Sequence, residues 1–146
     1  MKKLILISAI VLAASYFGFV QNKSVSIYNI VETVHNSDDI IGSAFKNRRN
    51  KLQVEGQGVV IKLLPDDLYG SRHQRFIVRL NSLQTLLIAH NIDLAPRIIS
   101  LRKGDNVFFY GVYEWNSKGG TIHWTHHDPE GRHTAGWIKH NGKKYQ

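Results

Sequence analysis

The run QVEGQGVVIKLL, residues 53–64, marks the point where the chain changes from a helical to an alternating hydrophobic pattern. Valine and glycine occupy every second position from Val54 to Val60, with Glu55 and Gln57 between them. This alternation is typical of a half-buried β-strand. Glycines inside a strand mark bulges or strong coiling, which a sheet needs in order to close into a small barrel. The stretch therefore predicts the first strand of such a barrel.

Four further strands are predicted downstream from alternation and from the turn residues between them. They cover residues 73–80, 85–92, 106–115 and 121–127, with a short helix over 95–101 between the third and fourth. The stretch LRKGDNVFFYG, residues 101–111, resembles the start of strand four in many OB domains. Together these features predict a mainly β fold, a small five-stranded OB-like barrel. Another small barrel, or an open α+β sheet, is the alternative.

The barrel is expected to lie between an N-terminal helix and a C-terminal hairpin. Residues 21–51 are predicted to be a spacer and a helix, because Ile40, Ile41, Ala44 and Phe45 share one helical face. Asn141-Gly142 separates two short extended runs, which is a strong hairpin signal. Residues 52–146 are therefore predicted to form one OB-like barrel domain with a C-terminal hairpin.

The first 20 residues have the pattern of an export signal. Met1-Lys2-Lys3 is basic, Leu4 to Val20 carries no charge, and Ala13-Ala14-Ser15 offers small residues for cleavage. We expect residues 1–20 to be a signal peptide and the domain to be exported, either periplasmic or secreted. Alternatively residues 4–20 stay uncleaved and anchor it to the inner membrane. The leader is then the only predicted contact with the membrane.

Composition narrows the class of partner. The 146 residues include 19 Lys and Arg against 11 Asp and Glu, for a net charge of +8. Such a basic surface favours anionic polymers, with nucleic acid as the first candidate. The chain has no cysteine, which excludes a disulfide-linked partner, a thiolate metal site and a lipoprotein anchor.

The predicted barrel indicates where a ligand would bind. OB folds take ligands across strands two and three, between the loops that join strands one to two and four to five. The candidate ligand-binding residues on these elements are Tyr69, Arg72, His73, Arg75, Arg79, Trp115 and Lys118. Alternate strand positions lie about 7 Å apart, close to the phosphate spacing of an extended single strand. Aromatic side chains beside them could stack bases. The alternative is a solvated face without a ligand.

Histidines crowd the C-terminal segment and suggest a second site. His123, His126 and His127 are the candidate catalytic residues, as general acids or bases. On a strand His123 and His127 would lie about 13 Å apart, too far for one metal ion. The candidate metal set is therefore His127, Asp128 and His133, which a tight turn could gather around a divalent metal cofactor. His90 lies on an apolar strand face, which predicts a buried, hydrogen-bonded histidine.

Several unusual segments resemble those of a known family. They are GSRHQRF (70–76), AHNIDLAPR (89–97), IHWTHHDP (122–129), Gly136-Trp137 and KHNGK (139–143). From Leu52 to the C-terminus the chain resembles a bacterial family of small exported proteins catalogued as a domain of unknown function. The resemblance implies an exported bacterial protein and brings no activity with it.

Three functions remain open at this point. The first is an exported basic domain that binds an anionic polymer, nucleic acid before others. The second is a phosphodiesterase or other hydrolase that uses the histidine-rich C-terminal segment. The third is an interaction module of the cell envelope without catalytic activity.

Overall fold

The computed structural model describes residues 36–146, and the expectations for the leader and for the spacer up to residue 35 lie outside this part of the chain. Helix α1 covers residues 36–46, as the sequence predicted for this segment. Seven strands follow: β1 Leu52–Leu63, β2 His73–Arg79, β3 Thr85–Asn91, β4 Asn106–Glu114, β5 Thr121–His123, β6 Trp137–His140 and β7 Lys143–Tyr145. A helix with the length and apolar character of a membrane span is not found within residues 36–146.

The first five strands close into a barrel. Neighbouring strands follow the order β1-β2-β3-β5-β4, and β4 pairs again with β1. The pairing of β3 with β5 is parallel, whereas the other pairings in the barrel are antiparallel. This closure confirms the predicted mainly β, OB-like five-stranded barrel and is incompatible with an open α+β sheet.

The glycines of β1 allow the strand to coil from one neighbour to the next. A Cβ atom on Gly56 would lie 2.5 Å from the ring of Phe109, and one on Gly58 would lie 3.0 Å from Cβ of Val78. The pairing of β1 with β2 is irregular between Val60 and Lys62, as a β-bulge requires. The glycines therefore give room for close packing where β1 passes from β4 to β2.

The barrel core is filled from alternate positions of the strands and from one face of α1. Phe76, Phe109 and Tyr113 are among the largest fully buried side chains, each contributing roughly 1.5–3 kcal/mol by burial. Ile41 of α1 belongs to the same core. The carboxylate of Asp38 accepts a hydrogen bond from the Ser82 N–H at 2.9 Å, which ties α1 to the β2–β3 turn.

Two predicted elements are wrong in detail. Residues 95–101 are irregular, with a turn at 99–100, instead of a helix, because the amide side chain of Gln74 binds the backbone of Ile98. Its Nε2 donates to the Ile98 carbonyl at 3.0 Å and its Oε1 accepts from the Ile98 N–H at 2.9 Å. Strand β5 ends at His123 rather than at residue 127, because Trp124 has a left-handed backbone with φ of 57°.

The two strands β5 and β6 lie one after the other along the same edge of β4. Val112 pairs with His123 of β5, and Tyr110 pairs with Trp137 of β6. Residues 124–136 leave the sheet between these pairs, and we call them the histidine loop. The predicted hairpin follows, with φ of 48° at Asn141 and 76° at Gly142, the positive values that a tight Asn-Gly hairpin turn uses.

Candidate functional site

The outer face of β2, β3 and β5 carries a groove made of three adjoining cavities, which we call the ligand groove. Their volumes are about 590, 320 and 270 Å³ from the β4–β5 loop to the histidine loop. The first two cavities share Leu87, and the last two share His73 and His123. β3 runs beneath the groove for about 20 Å at the usual strand rise. This is the face that OB folds use for ligands.

The middle of the ligand groove has a floor of uncharged side chains and acidic walls. The strand register places Ala89 beside Arg75 and Leu87 beside Thr121. Asp67 from the β1–β2 loop and Glu114 at the end of β4 line the same cavity. A ligand in this part of the groove would meet hydrogen-bond acceptors rather than an uninterrupted row of cations.

Two of the arginines predicted to contact phosphate already have partners. The Arg72 Nε lies 2.6 Å from a carboxylate oxygen of Asp93, and the Arg72 N–H donates to the other oxygen at 2.7 Å. These backbone and side-chain contacts lower the pKa of Asp93. Arg75 donates from Nε to the Pro65 carbonyl at 3.1 Å, and its Nη1 lies 3.8 Å from Asp67. Both guanidinium groups therefore help to shape the β1–β2 loop.

The remaining predicted binding residues divide into accessible and covered side chains. Tyr69 is 93% exposed on the β1–β2 loop. Arg79 is exposed on the outer face of β2, and Lys118 lines the first cavity. Neither has an ion pair among residues 36–146. Trp115 packs against the core, and the Arg48 guanidinium lies 5.3 Å from its ring centroid. Trp115 is therefore less available for stacking than Tyr69.

The third cavity brings histidines from three elements together, and we call it the histidine cleft. His73 comes from β2, His123 from β5, and His126 and His133 from the histidine loop. The rings of His126 and His133 have their centroids 5.4 Å apart. The candidate catalytic residues His123 and His126 therefore meet in one cleft. His127 is exposed and is absent from the lining of this cleft.

The electrostatics of the cleft keep His123 neutral at neutral pH. Burial lowers the pKa of His123, and nearby histidines lower it further, whereas Glu114 opposes the change. The His123 Nε2 lies 3.8 Å from Glu114. Nε2 of His123 and Nε2 of His133 are both buried without a hydrogen-bond partner in the described structure. The hydrogen-bonding capacity of these two ring nitrogens is therefore unused, although both are shielded from solvent.

The candidate metal set is not assembled as a set of ligands. The Asp128 carboxylate accepts hydrogen bonds from the N–H groups of Glu130, Arg132 and His133. Burial alone would raise the pKa of Asp128, but these backbone donors together lower it. His133 Nε2 lies 3.7 Å from Asp128, while His127 points to none of the cavities of the groove. Within residues 36–146, no three His, Cys, Asp or Glu side chains are arranged to hold a metal ion.

The histidine loop is tied to the barrel at its start, and its two ends are hydrogen-bonded to each other. Thr125 is buried and its hydroxyl lies 2.8 Å from Nδ1 of His90. The Gly136 N–H donates to the His126 carbonyl at 2.9 Å. A Cβ atom on Gly136 would lie 2.0 Å from the Trp124 carbonyl oxygen, so only glycine fits there. His90 is fully buried, as the sequence predicted.

Some lining residues were not predicted. Asn91, Trp124 and Glu114 all line the groove. The alternation of β4 could have indicated Glu114, since it lies on the outer face with Tyr110. Trp124 had no local signal, because its place depends on the left-handed turn that ends β5.

A closed five-stranded barrel with an outer-face groove over β2, β3 and β5 defines a small OB-like domain. The chain belongs to the family described as "Protein of unknown function (DUF3465)", whose model matches residues 24–146. The match contains every segment on which the family resemblance was based. None of the curated proteins matches the chain. Function therefore has to be argued from the groove itself.

Proposed function

We propose that this domain binds single-stranded nucleic acid along the ligand groove. The observation that carries the proposal is the continuity of the groove over the β2–β3 face, between the β1–β2 and β4–β5 loops. OB folds bind oligonucleotides on this face. A length of about 20 Å accommodates roughly three nucleotides of an extended strand at about 7 Å each.

The distribution of charge in the groove favours one arrangement of a bound nucleic-acid strand. Arg79 and Lys118 are cations without carboxylate partners in the described chain. Lys118 lines the cavity near the β4–β5 loop, and Arg79 borders this cavity as the strand partner of Thr85, which lines it. Asp67 and Glu114 disfavour a phosphate in the middle cavity. They can instead accept hydrogen bonds from base amino groups or ribose hydroxyls. Phosphates would then contact the cationic end, while bases lie over Leu87 and Ala89.

The salt dependence of binding tests this proposal. We expect the full chain to bind a fluorescein-labelled single-stranded 12-mer, with affinity that falls steeply as salt rises. Arg79→Ala with Lys118→Ala should lower the slope of log Kd against log salt by about 1.4, since each phosphate contact contributes about 0.7. Fluorescence anisotropy over a salt series gives the slope.

The matched control removes two positive charges elsewhere. Arg102 and Lys103 are exposed in the turn before β4 and line none of the three cavities. Arg102→Ala with Lys103→Ala should leave the slope close to that of the wild type. Equal losses in both double variants would mean that net charge, rather than the groove, attracts the nucleic acid.

The histidine cleft favours a second candidate function, cleavage of RNA. His123 is neutral at neutral pH and can accept the proton of a ribose 2′-hydroxyl. The 2′-oxygen would attack the adjacent phosphorus, and a protonated histidine across the cleft would donate a proton to the leaving 5′-oxygen. The products would be a 2′,3′-cyclic phosphate and a 5′-hydroxyl end. This chemistry needs two histidines in one cleft, and His123 and His126 both line this cavity.

A comparison of RNA with DNA tests this second function. We expect cleavage of a labelled RNA 12-mer but not of the DNA of the same sequence, because DNA lacks the 2′-hydroxyl. His123→Gln should reduce the rate by about 10²- to 10⁴-fold, the usual contribution of an acid–base catalyst. His127→Gln, outside the cleft, should keep the wild-type rate. Intact RNA on denaturing gels would remove the hydrolase while leaving the binding proposal in place.

A further inference from the structure

A second sheet face, outside the ligand groove, is built by β4, β6 and β7. Phe108 and Tyr110 occupy alternate positions of β4, and the buried Phe109 between them faces the core. The register places Lys139 opposite Phe108 and Trp137 opposite Tyr110. Lys144 of β7 lies opposite Lys139. Three aromatic and two basic side chains therefore share one outer face, which we call the aromatic–lysine face.

The geometry of this face places cations beside aromatic rings. The rings of Tyr110 and Trp137 have centroids 6.1 Å apart and planes tilted by 31°. Nζ of Lys139 lies 4.7 Å from the Trp137 centroid, and Nζ of Lys144 lies 5.8 Å from it. Phe108 is 40% exposed. Neither lysine has a carboxylate partner among the residues that the structure describes.

We propose that the aromatic–lysine face is a stacking platform for the bases of single-stranded nucleic acid. Aromatic side chains on neighbouring strands of a sheet can stack successive bases, while nearby cations meet the phosphates. Phe108 and Tyr110 lie two residues apart on one strand, a spacing of about 7 Å that suits bases spread along a strand. Charge complementarity with a polyanion selects this occupant. Glu55 of β1, opposite Tyr110, is the acidic residue at the border of the face.

The shape of the face argues against insertion into a membrane. Tyr110 and Trp137 are only partly exposed, and Phe108 is the one ring of the three that is clearly exposed. An interfacial membrane anchor instead buries a broad apolar surface in the lipid boundary. The rings here are set close to the sheet and flanked by lysines, which favours a stacked ligand.

This inference rests on the proposed function and extends it to a second surface, so the test must separate the two. The probes are a labelled thymidine 12-mer and a labelled abasic 12-mer, which keeps the phosphates but has no bases. Phe108→Ala in the full chain should weaken binding of the thymidine 12-mer about tenfold and leave the abasic 12-mer unchanged. Phe108→Tyr keeps a ring and should restore wild-type affinity.

Ile99→Ala is the matched control, because Ile99 is another exposed apolar side chain and lies outside this face. It should bind both probes as the wild type does. Circular dichroism and thermal unfolding establish that each variant is folded before its affinity is compared.

Three outcomes would overturn the inference. If Phe108→Ala binds the thymidine 12-mer with wild-type affinity while Arg79→Ala with Lys118→Ala binds it more weakly, the stacking platform is rejected. The ligand groove is then still supported as the binding site. Equal weakening of both probes by Phe108→Ala would show that stacking is not the cause. If Phe108→Ala loses binding to anionic phosphatidylglycerol vesicles but keeps wild-type affinity for the oligonucleotide, the aromatic–lysine face is a membrane-binding surface. Absence of any binding by the wild type would instead reject the proposed function.

Discussion

His90 shows how a single buried side chain joins the barrel to the histidine loop. Its Nε2 faces the Pro96 carbonyl at 3.3 Å, and a carbonyl can only accept a hydrogen bond. Nε2 therefore carries the proton, and Nδ1 accepts from the Thr125 hydroxyl at 2.8 Å. Burial lowers the pKa of His90 from 6.5 to about 4. The neutral ring thus holds the start of the loop that lines the histidine cleft.

The lowered pKa of His90 predicts loss of stability in mild acid. Between pH 6.5 and 4 the unfolded chain binds a proton at this residue and the folded chain does not. The stabilisation is complete above pH 6.5 and is lost as the pH falls toward 4. The free energy of unfolding should fall by about 3 kcal/mol over this range on account of His90. Urea unfolding at several pH values measures it.

A variant without the titrating ring isolates this contribution. His90→Gln should be less stable than the wild type at pH 7 but should lose less stability on acidification. His127→Gln, an exposed control, should keep the wild-type pH dependence. An unchanged pH profile in His90→Gln would contradict the assignment of a buried neutral His90.

Strand β1 is the element on which closure of the barrel depends. Its first part pairs with β4 and its last part with β2, so it must coil sharply over a short length. Gly56 lies where the ring of Phe109 approaches the strand, and Ile41 of α1 reaches the same place. Close packing at this position leaves no room for a side chain.

Gly56→Ala should destabilise the protein by about 1–3 kcal/mol, because its Cβ would overlap the fully buried Phe109 ring. Gly42→Ala is the contrasting variant in α1. The nearest neighbour of the added Cβ atom would be Oε1 of Gln84 at 3.9 Å, an ordinary contact. Gly42→Ala should stabilise the protein by about 0.5–1 kcal/mol, since alanine has a higher helix propensity than glycine. Thermal unfolding of both variants tests the pair, and equal stability would contradict the packing account.

Local patterns predict much of this fold, because its strands obey a two-residue period. The alternation over β2 correctly separates the outward residues His73, Arg75 and Arg79 from the buried ones. The Asn-Gly pair predicts the hairpin, because its backbone geometry is local. The supposed helix over 95–101 fails for a tertiary reason, the hydrogen bonds from the Gln74 side chain.

The candidate site is less predictable, since its chemistry depends on contacts between distant parts of the chain. The partner of Arg72 is Asp93, 21 positions further on. No local pattern distinguishes this paired arginine from Arg79. His123 and His126 come together with His73 only because β5 lies beside β3 and the histidine loop folds back over it. The exposure of His127 likewise depends on how that loop turns.

At the scale of the whole molecule, one closed sheet presents two outer surfaces suited to a polyanion. The ligand groove covers β2, β3 and β5, and the aromatic–lysine face covers β4, β6 and β7. The net charge of +8 attracts anions to both without choosing between them. The position of a bound ligand must therefore be determined by short-range features. These are the cationic end and the acidic walls of the ligand groove, and the rings of the aromatic–lysine face.

The most direct test of the groove as a nucleic-acid site is amide chemical-shift mapping of the full chain with an unlabelled single-stranded 12-mer. The largest shifts should fall in β2, β3 and the β4–β5 loop, around Arg79, Leu87 and Lys118. They should weaken together as salt is raised, because phosphate contacts contribute much of the affinity. A titration that leaves these amides unmoved while the protein remains folded would contradict the proposed function.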